Sequence, residues 1–221
     1  MRSRFISIAV LLSATLCFWP SLAEAKLVPI ALTGEITGVV DRFNFLEGRI
    51  SVGDLITGVY IYDSSTPDSS PPKYEGLYKH NTAPCGVILT VGGYVFMTDP
   101  SNVDFIVRIV DDFPSLGGRP VDGYGFVSIN NLPLPNGALV ERISLSFSDG
   151  SGKVLSSDAL PTTAPILTDW WIRNNSIDIT GGYPTPFGLD GRLTSVALIP
   201  EPATFLVLGV GSLFLLRKHR R

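Results

Sequence analysis

From position 26 to 199, apolar and polar residues alternate with a period of two, and the alternation is cut repeatedly by Gly, Pro, Asp and Asn. Successive side chains on a strand face opposite ways, so this pattern predicts strands with one buried face. The clearest covers 139–147, where Leu139, Ile143, Leu145 and Phe147 share one face and Arg142, Ser144 and Ser146 share the other. Asp149-Gly150-Ser151-Gly152 then supplies a turn. Further strands are predicted at 30–40, 55–62, 86–91, 94–98, 105–110, 123–129, 176–180 and 192–198. Gly92-Gly93, between two apolar runs, reads as a tight hairpin turn. Stretches 63–72, 111–120 and 132–137 read as loops, and 156–165 as a crossing from one sheet to another. About nine short strands with frequent turns predict an all-β fold, an antiparallel β-sandwich or jelly roll, with an open barrel as the rival.

Both ends break the alternation. Residues 1–25 have the three parts of a secretory leader: basic Arg2 and Arg4, an apolar run from Phe5 to Phe18, and Ala23-Glu24-Ala25. Ala23 and Ala25 are small residues at the spacing signal peptidase accepts, so cleavage is expected before Lys26. A permanent anchor is the poorer reading, because the run is short of a span and Pro20 would break its helix. A lipid-modified Cys17 is disfavoured by the bulky Leu16 before it.

At the other end, Pro200-Glu201-Pro202 precedes an uncharged run, 203–216, and a basic tail that includes Arg217, Lys218, Arg220 and Arg221. The run is apolar on every face, which excludes an amphipathic surface helix and predicts a membrane helix. As a helix it would cover about 21 Å, short of the roughly 30 Å hydrocarbon core, so it is a marginal anchor. Its basic flank belongs on the cytoplasmic side, leaving the body facing outward. The two prolines keep Glu201 displayed rather than wound into the helix.

This order (Pro-Glu-Pro-Ala-Thr, a Leu/Val/Gly-rich helix with Gly209 and Gly211, an Arg-rich end) resembles the PEP-CTERM sorting signal of Gram-negative bacteria over residues 199–221. The resemblance implies processing by an exosortase, an integral-membrane cysteine transpeptidase, with Pro200, Glu201 and Pro202 read as the recognition motif. It also implies a role in exopolysaccharide or the biofilm matrix. The layout Gly53-Asp54 to Tyr62-Asp63, then Tyr78 and Gly92-Gly93, resembles other bodies bearing this signal and names no activity. The expected organisation is a signal peptide at 1–25, a β-sandwich body at 26–198 and the sorting signal at 199–221.

Charge sharpens the picture. Between positions 26 and 200 there are 11 basic and 18 acidic residues, a net charge of −7. An acidic body with basic tips is not built to meet phosphates, so no nucleic acid is expected as a partner. Once the leader is removed, Cys85 is the only cysteine, so no disulfide can staple the body.

Candidate chemistry in the body is sparse. His80 and Cys85 could pair as base and nucleophile, but a turn histidine and a small buried cysteine is the stronger reading. No Gly-x-Ser-x-Gly elbow is present. Two carboxylates would suffice for glycoside hydrolysis, and the sequence alone pairs none. No metal motif is present; calcium is the one cofactor to consider, at loop residues Asp63, Asp68, Asp111, Asp112 and Asp149. Trp170-Trp171, beside Asp169, Arg173 and Asn174, is the candidate carbohydrate-binding element, with Tyr74, Tyr78, Tyr124 and Tyr183 as further platforms. Adjacent strand residues face opposite ways, so one tryptophan should enter the core and the other stay outside. The expected function is therefore a non-enzymatic, exported cell-surface or extracellular protein of the exopolysaccharide matrix. The alternative is a carbohydrate-binding module or a carbohydrate-active hydrolase.

Overall fold

The computed structural model describes residues 26–115, 118–171 and 175–200. They form one antiparallel sheet of ten strands: β1 (Leu27–Val40), β2 (Leu55–Asp63), β3 (Glu75–His80), β4 (Gly86–Val91), β5 (Tyr94–Met97), β6 (Phe105–Pro114), β7 (Pro120–Ser128), β8 (Val140–Asp149), β9 (Ser176–Gly181) and β10 (Gly188–Leu198). The strand order is β3-β6-β7-β8-β9-β10-β1-β2-β4-β5. The sheet curls until its two wings pack face to face, while its edges β3 and β5 are not hydrogen-bonded to each other. Tyr60 of β2 shares a 2.9 Å hydroxyl hydrogen bond with Tyr124 of β7, and its ring lies 4.9 Å from Phe126. Burial pushes both of these phenols well above their ordinary pKa, so the pair is a neutral link between the wings.

The all-β antiparallel expectation holds, and the layers are built from one continuous sheet. One consequence concerns 156–165, predicted to cross between sheets. It instead joins neighbours β8 and β9. It rides over the core, where Leu160 and Ala164 pack and the Tyr62 and Tyr78 hydroxyls donate to the Pro161 and Asp158 carbonyls.

The tenth strand, β3, has no alternating apolar signal because its inward positions are Gly76, Tyr78 and His80. The predicted loop at 111–120 shrinks in the same way. β6 continues to Pro114 and β7 begins at Pro120, past a bulge between Val110 and Phe113. That bulge puts Asp111 and Asp112 side by side, and Asp112 adopts a φ of 54°. A second irregularity, between Val140 and Arg142, turns Leu139 outward although Ile143, Leu145 and Phe147 face the core. The Gly92-Gly93 turn forms as predicted, with φ values of 57° and 80° that other residues rarely adopt.

β1 and β10 pair along most of their length, from Ile30 opposite Leu198 to Val40 opposite Gly188. Ile199 still donates to the Pro29 carbonyl at 2.9 Å, so the chain leaves the sheet at Pro200, beside the start of β1. Among the described residues no helix is long and apolar enough to cross a membrane. The predicted membrane helix, 203–216, lies outside the described residues.

Candidate functional site

The outward face of β3, β6, β7 and β8 carries a shallow groove of about 490 Å³. Its floor is β7, whose outward positions include Gly123 and Gly125 while Tyr124 and Phe126 point inward. Gly125 is required: a Cβ there would sit 2.3 Å from the Leu145 carbonyl oxygen of β8. Leu77, Ile106 and Arg108 form one wall, with Ser146 and Ser148 opposite. Arg108 is engaged by Glu75 of the neighbouring strand in an exposed ion pair. Phe113, stacked edge-on against Tyr74 at 5.3 Å, stands at the end of the groove.

Trp171 extends this face. Its backbone N–H donates to the Ser148 carbonyl, and its ring lies so close over Gly150 that a Cβ there would come within 2.4 Å. The indole is 54% exposed, whereas Trp170 is only 5% exposed and packs on Phe147 at 5.6 Å. The sequence pair thus divides into one core and one surface residue. Trp170 is corrected from candidate ligand contact to core, because its ring fills space beside Phe147. Tyr78 and Tyr124 leave the list of platforms for the same reason, each being buried. Tyr74 stays exposed beside the groove, and Tyr183, 92% exposed, sits away from it in the turn before β10. Arg173 and Asn174 lie outside the described residues. The groove itself was missed. Its signal was Gly123-x-Gly125 inside a strand, since same-face glycines mark a close backbone approach.

The carboxylates are arranged for structure. Asp122 is fully buried, and it accepts from the amides of Asp112 at 3.0 Å, Val154 at 2.8 Å and Leu155 at 3.0 Å. Asp178 and Asp190 stand directly opposite each other on β9 and β10. Burial first, and then Asp190, raise the Asp178 carboxyl above its usual range. The two stand side by side on one face of the sheet.

Asp111, Asp112 and Asp122 gather within 4.8 Å of one another, so two of the residues singled out for calcium come together with one that was not. Asp63, Asp68 and Asp149 instead cap their own turns, accepting from Ser65, Ser70 and Ser151. Burial, followed by the charges of Asp112, Asp122 and Asp158, raises the Asp111 carboxyl above its ordinary value. The folded chain therefore holds this proton more tightly than the unfolded chain. The group favours folding when protonated and opposes it as pH rises through the carboxylate range. Asp111→Asn is expected to raise the melting temperature at pH 7 by about 1–2 °C, since solvent screening limits the effect to a few tenths of a kcal/mol. The gain should fade below about pH 3. A wild-type transition raised by added calcium, and not raised in the variant, would instead make the cluster a calcium site.

His80 and Cys85 are both buried. Burial pushes the Cys85 thiol up to about 11 and the His80 imidazole down, so the thiol stays protonated at neutral pH. His80 Nδ1 pairs with the Thr66 hydroxyl at 3.1 Å, and its ring packs near Tyr62 and Phe105. These are core residues.

The sorting residues divide across the boundary of the description. Pro200 is exposed where the chain leaves β10, while Glu201, Pro202 and the basic tail lie outside the described residues, as do Ala23 and Ala25. The PEP-CTERM protein-sorting motif family matches residues 198–221. No curated protein and no solved structure matches the chain. The chain thus carries a PEP-CTERM sorting motif, the mark of an exported surface protein that an exosortase processes after transient membrane anchoring.

Proposed function

We propose that this PEP-CTERM protein is a non-enzymatic component of the exopolysaccharide or biofilm matrix, holding a polysaccharide strand along the glycine-floored groove. Signal peptidase removes residues 1–25, and the body is held on the periplasmic side by the helix at 203–216 until the exosortase acts. One observation carries the sugar reading: an exposed indole packed against Gly150, beside an open groove with a serine-bearing wall. Sugar rings present apolar C–H faces and hydroxyl edges, and a flat aromatic beside serines meets both. An open trough accepts a long chain where an enclosed pocket would accept only an end.

The non-enzymatic reading draws support from the carboxylates at and beside the groove. Glu75 is tied to Arg108, and Asp122 accepts from three backbone amides, so both are engaged in structural contacts.

The test is retention of the secreted mature protein on immobilised matrix polysaccharide. Trp171→Ala is expected to weaken retention about tenfold, roughly 1.4 kcal/mol of lost stacking, with the thermal transition nearly unmoved. Trp170→Ala should instead destabilise the fold by about 3 kcal/mol or more. Retention unaffected by Trp171→Ala would remove the groove from consideration. New reducing ends released from the polysaccharide would replace the matrix reading with the hydrolase one.

A further inference from the structure

The first residue after the expected signal-peptidase site is already held. The Lys26 backbone nitrogen donates to Asp63 Oδ1 at 3.1 Å, and the Lys26 carbonyl accepts from the Ser64 amide at 3.0 Å and the Ser64 hydroxyl at 3.1 Å. Leu27 then enters register opposite Asp63, so β1 begins one residue past the cleavage point. Asp63 is fixed in turn by the Ser65 hydroxyl at 2.7 Å and the Ser65 amide at 2.9 Å. Burial works against its ionised form, but these bonds and that from Lys26 outweigh it and hold the carboxyl below its usual value. A carboxylate is thus already oriented on one particular main-chain nitrogen.

We infer that leader removal completes a site: the new α-ammonium of Lys26 pairs with the Asp63 carboxylate and clamps the start of β1 onto β2. The inference rests on cleavage before Lys26. Hydrolysis of the Ala25–Lys26 amide gives the hydroxyl of water to the Ala25 carbonyl carbon and its proton to the Lys26 nitrogen. That amine then takes up a further proton from solvent at neutral pH. A neutral amide donor becomes a cation at the same place, and a charge-assisted hydrogen bond is roughly twice as strong as a neutral one. The other titratable groups acting on this carboxylate are His80 and Cys85, both kept neutral by burial near pH 7, while the Lys26 side chain is exposed.

The experiment uses protein secreted with its own leader. Intact mass and N-terminal sequencing locate the first residue, and the α-amine is then acylated over a range of pH. With Lys26 first, acylation near pH 7.5 should run about tenfold slower than for an ordinary α-amine, because pairing holds the amine protonated. Asp63→Asn should restore the ordinary rate, and the two proteins should converge above about pH 10, where both amines are free. If Asp63→Asn fails to fold, high salt on the wild type supplies the same test, since screening should speed its acylation. A Lys26 terminus with an ordinary rate, insensitive to salt and to Asp63→Asn, overturns the inference and leaves the cleavage reading standing. A first residue other than Lys26 overturns both.

Discussion

Replacing Glu201 with alanine is expected to leave the whole protein in the membrane fraction as an uncleaved precursor, with no processed form released. Glu201 stands between two prolines and is the only charged residue between the end of β10 and the basic tail. Alanine leaves both flanking prolines in place and removes that charge. The measurement is fractionation followed by intact mass: the precursor should retain residues 203–221, while the wild type loses them. A companion variant separates recognition from anchoring. Extending the 203–216 run by about six leucines brings it to a full span and makes a comfortable permanent anchor. With Glu201 intact this extended protein should still be processed. Release of a Glu201→Ala protein with normal mature mass would sink the sorting role of this residue.

The second large effect is expected at Asp122. Its carboxylate draws the amides of Asp112, Val154 and Leu155 into the interior, and it has no exposed surface. Asp122→Ala strands three donors, each worth about 1 kcal/mol or more when left buried without a partner, so the loss should be about 3 kcal/mol or more. For a domain of this size that lowers the melting temperature by roughly 6–12 °C. Asp122→Asn keeps an acceptor oxygen and should lose less. Because the Val154 and Leu155 amides are both pinned by this carboxylate, amide exchange should accelerate first in the segment from Gly152 to Leu155. A thermal transition for Asp122→Ala within about 0.5 kcal/mol of wild type would mean the amides find water instead.

Much of this fold was legible because its inward positions are aliphatic and aromatic. Val87, Leu89 and Val91 on β4, or Ile143, Leu145 and Phe147 on β8, announce their faces in the order of residues alone. β3 was not legible because glycine, tyrosine and histidine fill its inward face, and hydropathy does not count Gly76 or His80 as core. The bulges were hidden for a different reason. At Asp111 and Asp112 the extra residue is set by how β6 meets β7, and pairing register is not written in either strand separately. The groove was invisible because its floor is the absence of side chains at Gly123 and Gly125. Trp171 could be proposed from the sequence, while its separation from Trp170 became definite only with Phe147 and Gly150 in place. The sorting end was readable because an enzyme recognises it as linear sequence.

The order of the strands also sets a clock. β10 lies between β9 and β1, so the hydrogen-bonded strand order passes through it from the wing of β3, β6, β7, β8 and β9 to the wing of β1, β2, β4 and β5. Its partner β1 emerges first from any export channel and must wait for nearly the whole body to follow. Pairings this distant in the chain form slowly, after the cost of closing a long loop has been met. The keystone strand ends at Leu198, two residues before Pro200. Completion of the sheet and arrival of the sorting motif therefore fall at the same moment of translocation, and a chain truncated before β10 would present neither.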